Sequence, residues 1–480
     1  MGSVYSKLRL LLSGLLAFML MSTVAPLGAQ TTSGVADALT SNAGLNTTNA
    51  LAKEIQDNSQ LMKNLEELCD DFGARITGSE SLLRSQDWAM KKLISYGAVN
   101  VHREAYDIGK PWIRGRASAR LLNANQATLD VAQQAWTQGS KGKIKADVAI
   151  LDAKNLDDFI KLAPRLKGKI VLVLNEPNLQ ARPGKDTKAD LERLKSAIID
   201  AKFSAVLRVS EKADSLQDMF GSLGSRYTSN VGIITSDHAN LLQRLMKRGI
   251  TPKLEMEFTG GFGKNNVNAY NVVADFPGSD LSQEMVIVGA HIDSWDLASG
   301  ATDNGAGVVV AMEVLRSMHA LNLKPKRSLR VVLFSGEEQG LWGSRAYRAA
   351  HQDELKNVQA MLNHDAGAGR IIGFPDMKVD PWFDALSKAF VPVKEIGELD
   401  IQYGISRGSD QASFFEAGVP AFSAIQTPMN YFTHTQHSPF DNFDRVSEAN
   451  LVYNAKIMSA VTWSLLNAER IPHLEVKPAK

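Results

Sequence analysis

The feature that most constrains the fold of this chain is a strand-like apolar run that ends abruptly in histidine and carboxylates. The run Met285-Val-Ile-Val-Gly-Ala-His291 leads through Asp293 into Ala301-Thr-Asp303-Asn-Gly-Ala-Gly307. Its Val and Ile residues predict a buried strand, and the glycine-rich turn predicts the start of a helix. Functional residues of α/β folds collect outside the carboxyl ends of strands. His291 and Asp303 are therefore candidate metal ligands and Asp293 a candidate partner of the imidazole, although a solvated turn explains this passage alone equally well.

Three later apolar runs repeat this layout. Two adjacent glutamates follow the first of them, and one can bind a cation while its neighbour serves as a general base; a solvated pair is the alternative. Imidazole mixed with carboxylates suits zinc, with cobalt or manganese as substitutes. Two histidines are too few for several separate sites, so a pair of ions bridged by one carboxylate is the most economical arrangement. The runs are Leu329 to Phe334 before Glu337 and Glu338, Val358 to Leu362 before Asp365, and Pro420 to Ile425 before His437 and Asp441.

Taken in this order, the four segments resemble those of the co-catalytic zinc exopeptidases. This family includes secreted bacterial aminopeptidases and glutamate carboxypeptidases. The likeness to its glutamate carboxypeptidase branch is greatest in His291-Ile-Asp-Ser-Trp-Asp296 and Gly336-Glu-Glu-Gln-Gly340, and it extends to Asp71-Phe-Gly-Ala-Arg-Ile-Thr-Gly-Ser79. Any one motif is weak, whereas their combination in this order is specific to the family.

The resemblance implies a centre of two Zn²⁺ ions per chain. Asp303 matches the carboxylate that bridges both ions. Glu338 and His437 match the remaining ligands of one ion, and His291 and Asp365 match those of the other.

The resemblance also implies roles for three carboxylates that do not bind metal. Glu337 matches the general base that takes a proton from the attacking water. Asp293 matches the carboxylate that orients His291, and Asp441 matches the one that orients His437.

Residues for substrate recognition are less well defined by the sequence. Arg407 can pair with a substrate carboxylate, because a guanidinium suits bidentate contacts of this kind; a surface role is the alternative. His434 flanks a ligand position and is a candidate for touching substrate. Some family members carry an oxyanion-stabilising tyrosine at the position of Ser406, and Tyr403 does not match it. We therefore assign no oxyanion donor.

The expected activity is hydrolysis of short peptides or dipeptides by a zinc exopeptidase. The closest resemblance favours carboxypeptidase or dipeptidase activity, and the broader family favours aminopeptidase activity. Two other classes remain open: glutaminyl cyclisation, which related folds perform with one zinc, and a catalytically inactive binding module. The complete set of five ligands argues against both.

The order of segments predicts a discontinuous catalytic domain. Residues 1–29 have the charged, apolar and small-residue order of a secretory signal, and residues 30–49 have the composition of a flexible spacer. The peptidase domain is predicted at 50–114 and 263–470, with a protease-associated-like insert at 115–262 that either covers the cleft or binds a partner. Alternating strands and helices predict a three-layer α/β/α fold with a largely parallel sheet, and the family's sheet is mixed.

Composition excludes several other functions. The chain of 480 residues has 53 basic and 52 acidic side chains and no basic block, which argues against nucleic acid binding. Apart from the signal, no segment suggests a membrane partner, so we expect a secreted or periplasmic protein. Cys69 is the sole cysteine and cannot form an internal disulfide. The expected partners are short peptides, and the resemblance leaves a homodimer open.

Overall fold

The computed structural model describes residues 42–177, 187–222 and 225–476. The predicted signal, 1–29, and residues 30–41 of the predicted spacer lie outside these ranges. The α-helices of the described part are α1 (Asn42–Asn58), α2 (Leu61–Glu67), α3 (Glu80–Ser95), α4 (Leu156–Leu162), α5 (Thr187–Ala201), α6 (Ser236–Lys247), α7 (Ala306–Ala320), α8 (Trp342–Ala350), α9 (Asp380–Phe390), α10 (Gln411–Phe415) and α11 (Glu448–Asn467).

The strands of the described ranges belong to four sheets. In chain order they are β1 (Val99–Asp107), β2 (Trp112–Ile113), β3 (Ala117–Leu121), β4 (Thr128–Leu129), β5 (Val131–Gln133), β6 (Ile144–Asp152), β7 (Ile170–Asn175), β8 (Ala205–Val209), β9 (Val231–Ile234), β10 (Lys253–Phe258), β11 (Gly261–Phe262), β12 (Asn268–Phe276), β13 (Leu281–His291), β14 (Arg327–Phe334), β15 (Val358–Asn363), β16 (Ile371–Pro375), β17 (Asp400–Gln402), β18 (Ala421–Ser423) and β19 (Ile425–Gln426).

A six-stranded mixed sheet positions the candidate site. Its order is β1-β12-β14-β13-β15-β18. Strands β14, β13, β15 and β18 run parallel to one another. At one edge, β12 pairs antiparallel with β14, and β1 pairs antiparallel with β12. The parallel part therefore brings the carboxyl ends of β13, β14 and β15 to one edge of the sheet.

Both faces of this sheet are covered by helices. Along β13, Val286 and Val288 are fully buried on the face that packs against α7 and α11. Ile287, between them, is fully buried on the opposite face with Tyr347 of α8 and Phe414 of α10. Alternating side chains of one strand thus enter two cores, as a sheet between two helical layers requires. The prediction of a three-layer α/β fold with a mixed, largely parallel sheet is confirmed.

An eight-stranded sheet is built from the central part of the chain. Its order is β4-β3-β10-β6-β7-β8-β9-β5, with β6 to β9 parallel, and it has apolar cores of its own. All its strands fall between residues 117 and 258, inside the predicted insert at 115–262. The assignment of this segment as a protease-associated-type domain stays a prediction.

The predicted spacer extends too far into the chain. Helix α1 begins at Asn42, so residues 42–49 are helical rather than a flexible linker. Thr48 and Leu51 of this helix are fully buried, and α1 packs against α11. Tertiary burial thus overrides the polar composition of the segment.

Within the described ranges, every helix is too short or too polar to span a membrane.

Candidate metal centre

Strand register explains why the predicted residues meet. In the parallel sheet, His291 at the end of β13 pairs with Phe334 of β14, and Gly289 pairs with Asn363 of β15. The turns that follow β14 and β15 therefore start beside His291. They carry Glu337 and Glu338 in one case and Asp365 in the other.

The five predicted ligands form two groups that share Asp303. In the first, Nε2 of His291 lies 3.1 Å from Oδ1 of Asp303 and 3.3 Å from Oδ1 of Asp365. In the second, Nε2 of His437 lies 3.2 Å from Oδ2 of Asp303 and 3.0 Å from Oε2 of Glu338. Within each group the candidate ligand atoms lie within 4.8 Å of one another. The two oxygens of Asp303 face opposite sides, as a bridging carboxylate requires.

The donor atoms fit a metal ion. Oε1 of Glu338 is buried and has no hydrogen-bond partner among the described residues. A buried carboxylate oxygen without a donor is costly unless a cation satisfies it. Imidazole nitrogens and carboxylate oxygens are also the donors that zinc accepts. The residues present therefore fit the implied group.

Negative charge dominates the centre. Although burial acts in the opposite direction, the carboxylate of Asp365 raises the pKa of His291 well above its ordinary value. Burial also lowers the pKa of His437, but the carboxylates of Glu338 and Asp303 outweigh it, so that this pKa too lies well above its ordinary value. Burial raises the pKa of Glu338 to about 7, and Asp303 adds to the rise. Such clustering of buried acids is typical of functional sites.

Glu337 stands beside the two groups without belonging to either. It lines a cleft of about 580 Å³ together with Asp303, Glu338 and Asp365. Its main-chain N–H points at Oδ1 of Asp293, 3.4 Å away. Burial raises the pKa of the Glu337 carboxyl well above its usual range, in spite of the opposing charge of His291.

A glycine is required in the turn that presents Glu337. Gly336 has φ 68°, a conformation that side-chain-bearing residues rarely adopt. A Cβ added there would lie 2.7 Å from the hydroxyl of Tyr106 and 3.0 Å from Cβ of Trp342. The turn can therefore pack against both aromatic residues only because position 336 lacks a side chain.

Asp293 faces His291 as the sequence predicted. Nδ1 of His291 lies 3.0 Å from the main-chain oxygen of Asp293 and 3.5 Å from its Oδ1. Oδ2 of Asp293 accepts a hydrogen bond of 2.9 Å from the hydroxyl of Thr77. The fully buried carboxylate is thus held between His291, Thr77 and the Glu337 turn.

Asp441 has different partners from those predicted. Its Oδ1 accepts hydrogen bonds from the N–H and hydroxyl of Thr302, at 2.6 and 2.7 Å, and its Oδ2 accepts one from the N–H of Asp303 at 3.1 Å. No hydrogen bond joins Asp441 to His437 within the described residues. The loop that carries Asp441 packs on the segment before α7, so this carboxylate orients the loop of Asp303 instead of the imidazole.

The two candidates for substrate binding differ in position. Arg407 is exposed, lines the cleft, and lies with its guanidinium 5.2 Å from the ring centroid of Phe415. His434 is not among the residues that line the cleft, and both of its ring nitrogens have partners, so its contact with substrate stays a prediction. Nε2 lies 3.0 Å from Oδ2 of Asp214, and Nδ1 lies 2.8 Å from the hydroxyl of Thr433.

Several residues of the centre were not predicted from the sequence. Arg75 is fully buried and donates to the main-chain oxygens of Ile292 and Gly300, at 2.7 and 2.9 Å. It therefore holds both ends of the loop between the first two ligands. Asp410 is fully buried behind the cleft, and burial raises its pKa to about 7. The only signal for Arg75 was its place in the segment 71–79, which carried a family likeness without a role.

Comparisons with known proteins bear out the family resemblance. Residues 271–462 match the family model of Peptidase family M28. The chain is 28% identical over 370 residues to carboxypeptidase Q of Xenopus laevis, an alignment that covers 76% of each protein.

Solved structures show the same fold. The Peptidase M28 precursor of Shewanella amazonensis SB2B superposes with a TM-score of 0.78 at 25% identity, covering 91% of this chain and 100% of that one. BSAP, a zinc aminopeptidase of Bacillus subtilis, superposes with a TM-score of 0.64 at 18% identity, covering 87% of this chain and 95% of that one.

Proposed function

We propose that the chain, whose residues 271–462 match the model of Peptidase family M28, is a zinc exopeptidase that hydrolyses peptide bonds in short peptides. One observation carries the proposal: two groups of histidine and carboxylate ligands share Asp303 at the edge of the sheet. The similarity to carboxypeptidase Q and to a zinc aminopeptidase supports the same activity.

The centre would hold two zinc ions. His291 and Asp365 would bind one, Glu338 and His437 the other, and Asp303 both. Zinc supplies Lewis acidity, which polarises a peptide carbonyl and makes water a usable nucleophile near neutral pH.

The side chain of Glu337 would move the proton. It lines the cleft together with Glu338 and Asp365, where its carboxylate can accept a proton from the attacking water and pass it to the leaving amine. Asp293 would keep this turn and His291 in a fixed relative position, because it contacts both. Asp441 would fix Asp303 through its main-chain N–H.

The cleft favours recognition of a free carboxyl end. Its acidic lining residues, Asp303, Glu337, Glu338 and Asp365, all have roles in the proposed centre, which leaves none of them to bind a substrate ammonium group. Arg407 also lines the cleft, and it forms no ion pair with any of the described residues. A guanidinium in this position suits the terminal carboxylate of a peptide. We therefore propose carboxypeptidase or dipeptidase specificity, with aminopeptidase specificity as the alternative.

Two further features belong to the proposal. Export would depend on the predicted signal at 1–29, and the insert at 115–262 would border the catalytic cleft. Glutaminyl cyclisation and inactive binding remain the competing classes, and neither requires all five ligands together with Glu337.

A panel of dipeptides with free and blocked ends tests the proposal, run on the purified protein with its metal, with a chelator, and after zinc is added back. Peptides with an amidated carboxyl should resist cleavage, and the chelator should abolish it. Peptides with an acetylated amine should be cleaved by a carboxypeptidase and should resist a dipeptidase. Cleavage that needs the free amine and tolerates the amide would establish the aminopeptidase alternative. Metal analysis separates the other classes: we expect two zinc ions per chain, one would favour a cyclase, and none, with every peptide intact, would favour a binding module.

A further inference from the structure

A tryptophan cluster joins the predicted insert to the loops of the metal centre. Trp136 belongs to the insert, lies at the middle of the cluster and is 3% exposed. Its ring centroid is 6.1 Å from that of Trp112, to which it is stacked, and 6.0 Å from those of Trp295 and Trp342, which it meets edge-on. The indole N–H groups of Trp136 and Trp295 have no hydrogen-bond partner among the described residues. The shape of the rings, rather than polar bonding, therefore holds this contact together.

Each of the two edge-on partners lies close to proposed ligands along the chain. Trp295 follows His291 by four residues, and its ring centroid lies 6.1 Å from that of His437, edge-on. It thus fills the space between the insert and one ligand imidazole. His437 has φ 58°, a left-handed conformation that a non-glycine residue keeps only where its surroundings enforce it.

Trp342 connects the same insert residue to the glutamate turn. It opens α8 directly after that turn, and its N–H donates to the main-chain oxygen of Gly336 at 2.8 Å. Trp136 therefore touches, through one residue each, the loop that follows His291 and the turn that presents Glu337 and Glu338.

Polar contacts also join the insert to the segments that bear the proposed ligands. Arg114, directly before the predicted insert, forms a two-pronged ion pair with Asp296, in which its Nη2 lies 2.7 Å from Oδ1. Nζ of Lys212, from the insert, donates to the main-chain oxygen of Phe432 at 2.9 Å. Because Arg114 also donates to the main-chain oxygen of Gln133 in the insert, these contacts hold the insert against the segments of Asp296 and Phe432 and fix the position of Trp136 relative to the centre.

We propose that Trp136 is a positioning residue for the metal centre, acting through Trp295 on His437 and through Trp342 on the glutamate turn. The inference rests on the proposed zinc centre and gives the insert a part in forming it. Loss of the Trp136 ring leaves Trp295 without its packing partner, so His437 and Glu338 lose the constraint that keeps their donor atoms together.

The test measures zinc affinity of the full chain by competition with a chromogenic chelator. Trp136→Leu should weaken zinc binding about 10- to 100-fold, the loss that follows removal of residues that orient ligands. Trp136→Phe keeps an aromatic ring but loses the larger indole, so it should weaken zinc binding by less than Trp136→Leu does. Trp382→Leu is the matched control, because Trp382 is fully buried and packs on Phe415 and Phe422. It should lower the unfolding midpoint and leave zinc affinity unchanged.

If Trp136→Leu does not fold, a double-mutant cycle of Trp136 and Trp295 still tests the inference. Trp295→Phe, Trp136→Phe and the double variant retain rings, and their effects on zinc affinity should be smaller together than the product of the single effects, because both act along one path. Independent effects, or a folded Trp136→Leu protein with wild-type zinc affinity, would overturn the inference. A wild-type protein without zinc affinity would instead overturn the proposed function on which it rests.

Discussion

The carboxylate of Asp441 accepts the main-chain N–H of Asp303 at 3.1 Å, and Asp303 is the residue that both ligand groups share. A loop 138 residues further along the chain thus sets the backbone of the proposed bridging ligand. Asp441 is 4% exposed, and burial, together with the charge of Asp303, raises its pKa to about 7.

We expect Asp441→Asn to weaken zinc binding about 10- to 100-fold, as for other residues that support a ligand. The amide keeps the shape of the side chain but cannot accept hydrogen bonds with both oxygens from Thr302 and Asp303. Zinc affinity measured by chelator competition is the readout. Asp444→Asn, an exposed change in the same loop, is the control and should bind zinc like the wild type. Equal affinity of the two variants would contradict the assigned role.

Replacement of Glu337 by glutamine should separate turnover from metal binding. The amide cannot accept the proton from water, so kcat should fall about 10²- to 10⁴-fold, the usual contribution of a general base. Zinc content should not change, because Glu337 belongs to neither ligand group. Glu338→Gln is the contrasting variant, and we expect it to lose zinc as well. Steady-state kinetics and metal analysis on the same samples decide the matter, and undiminished turnover of Glu337→Gln would refute the assigned base.

Arg407→Met tests recognition of the carboxyl end. A hydrogen bond to a charged group contributes about 1.5–3 kcal/mol, so kcat/KM for dipeptides with a free carboxyl should fall about tenfold or more. Arg345→Met, an exposed arginine outside the cleft lining, should leave these kinetics unchanged. If Arg407→Met cleaves free dipeptides as well as the wild type does, another group must bind the substrate carboxylate.

Arg75→Met should lower the free energy of unfolding by about 3 kcal/mol or more, because each buried carbonyl left without a donor costs about 1–3 kcal/mol. The main-chain oxygens of Gly73, Ile292 and Ser299 all accept hydrogen bonds from this guanidinium. Urea denaturation is the measurement. Arg84→Met, an exposed change in α3, should shift the free energy by about 0.5 kcal/mol or less. A shift of that size for Arg75→Met would show that its hydrogen bonds contribute little.

The His351–Glu104 ion pair should give a stability difference that depends on pH. Nε2 of His351 lies 2.8 Å from Oε1 of Glu104, and each side chain is less than one-fifth exposed. The hydrogen bond to Glu104 raises the pKa of His351 above 6.5. Although burial acts in the opposite direction, the hydrogen bond from His351 lowers the pKa of Glu104 below 4.5, with His102 assisting.

The histidine contribution is present below pH 6.5 and disappears as the pH rises through its folded pKa. The glutamate contribution is present above pH 4.5 and disappears as the pH falls through its folded pKa. A double-mutant cycle of His351→Gln and Glu104→Gln should therefore show a coupling of about 1 kcal/mol between these pH values, which vanishes at high pH. Chemical denaturation at pH 5.5 and 9 measures it, and an unchanged coupling at the two values would contradict the assignment.

Much of the fold follows from local patterns. The apolar runs that end at His291 and Phe334 are strands where the sequence predicts them. Apolar periodicity is a local property, so it survives into the folded chain. The start of α1 was missed because its polar residues become helical only through packing on α11.

The chain sequence established which residue types stand at the strand ends, and parallel pairing then required those ends to meet. The strand ends supplied the candidate ligands, and the family resemblance assigned roles to five of them and to Glu337. The five lie together around Asp303, and Glu337 lines the same cleft. The partners of Asp441 and His434 and the contact of Trp136 with Trp295 could not be inferred in this way. They join loops that are distant in the sequence, and their geometry depends on how separate segments pack, which no local periodicity encodes.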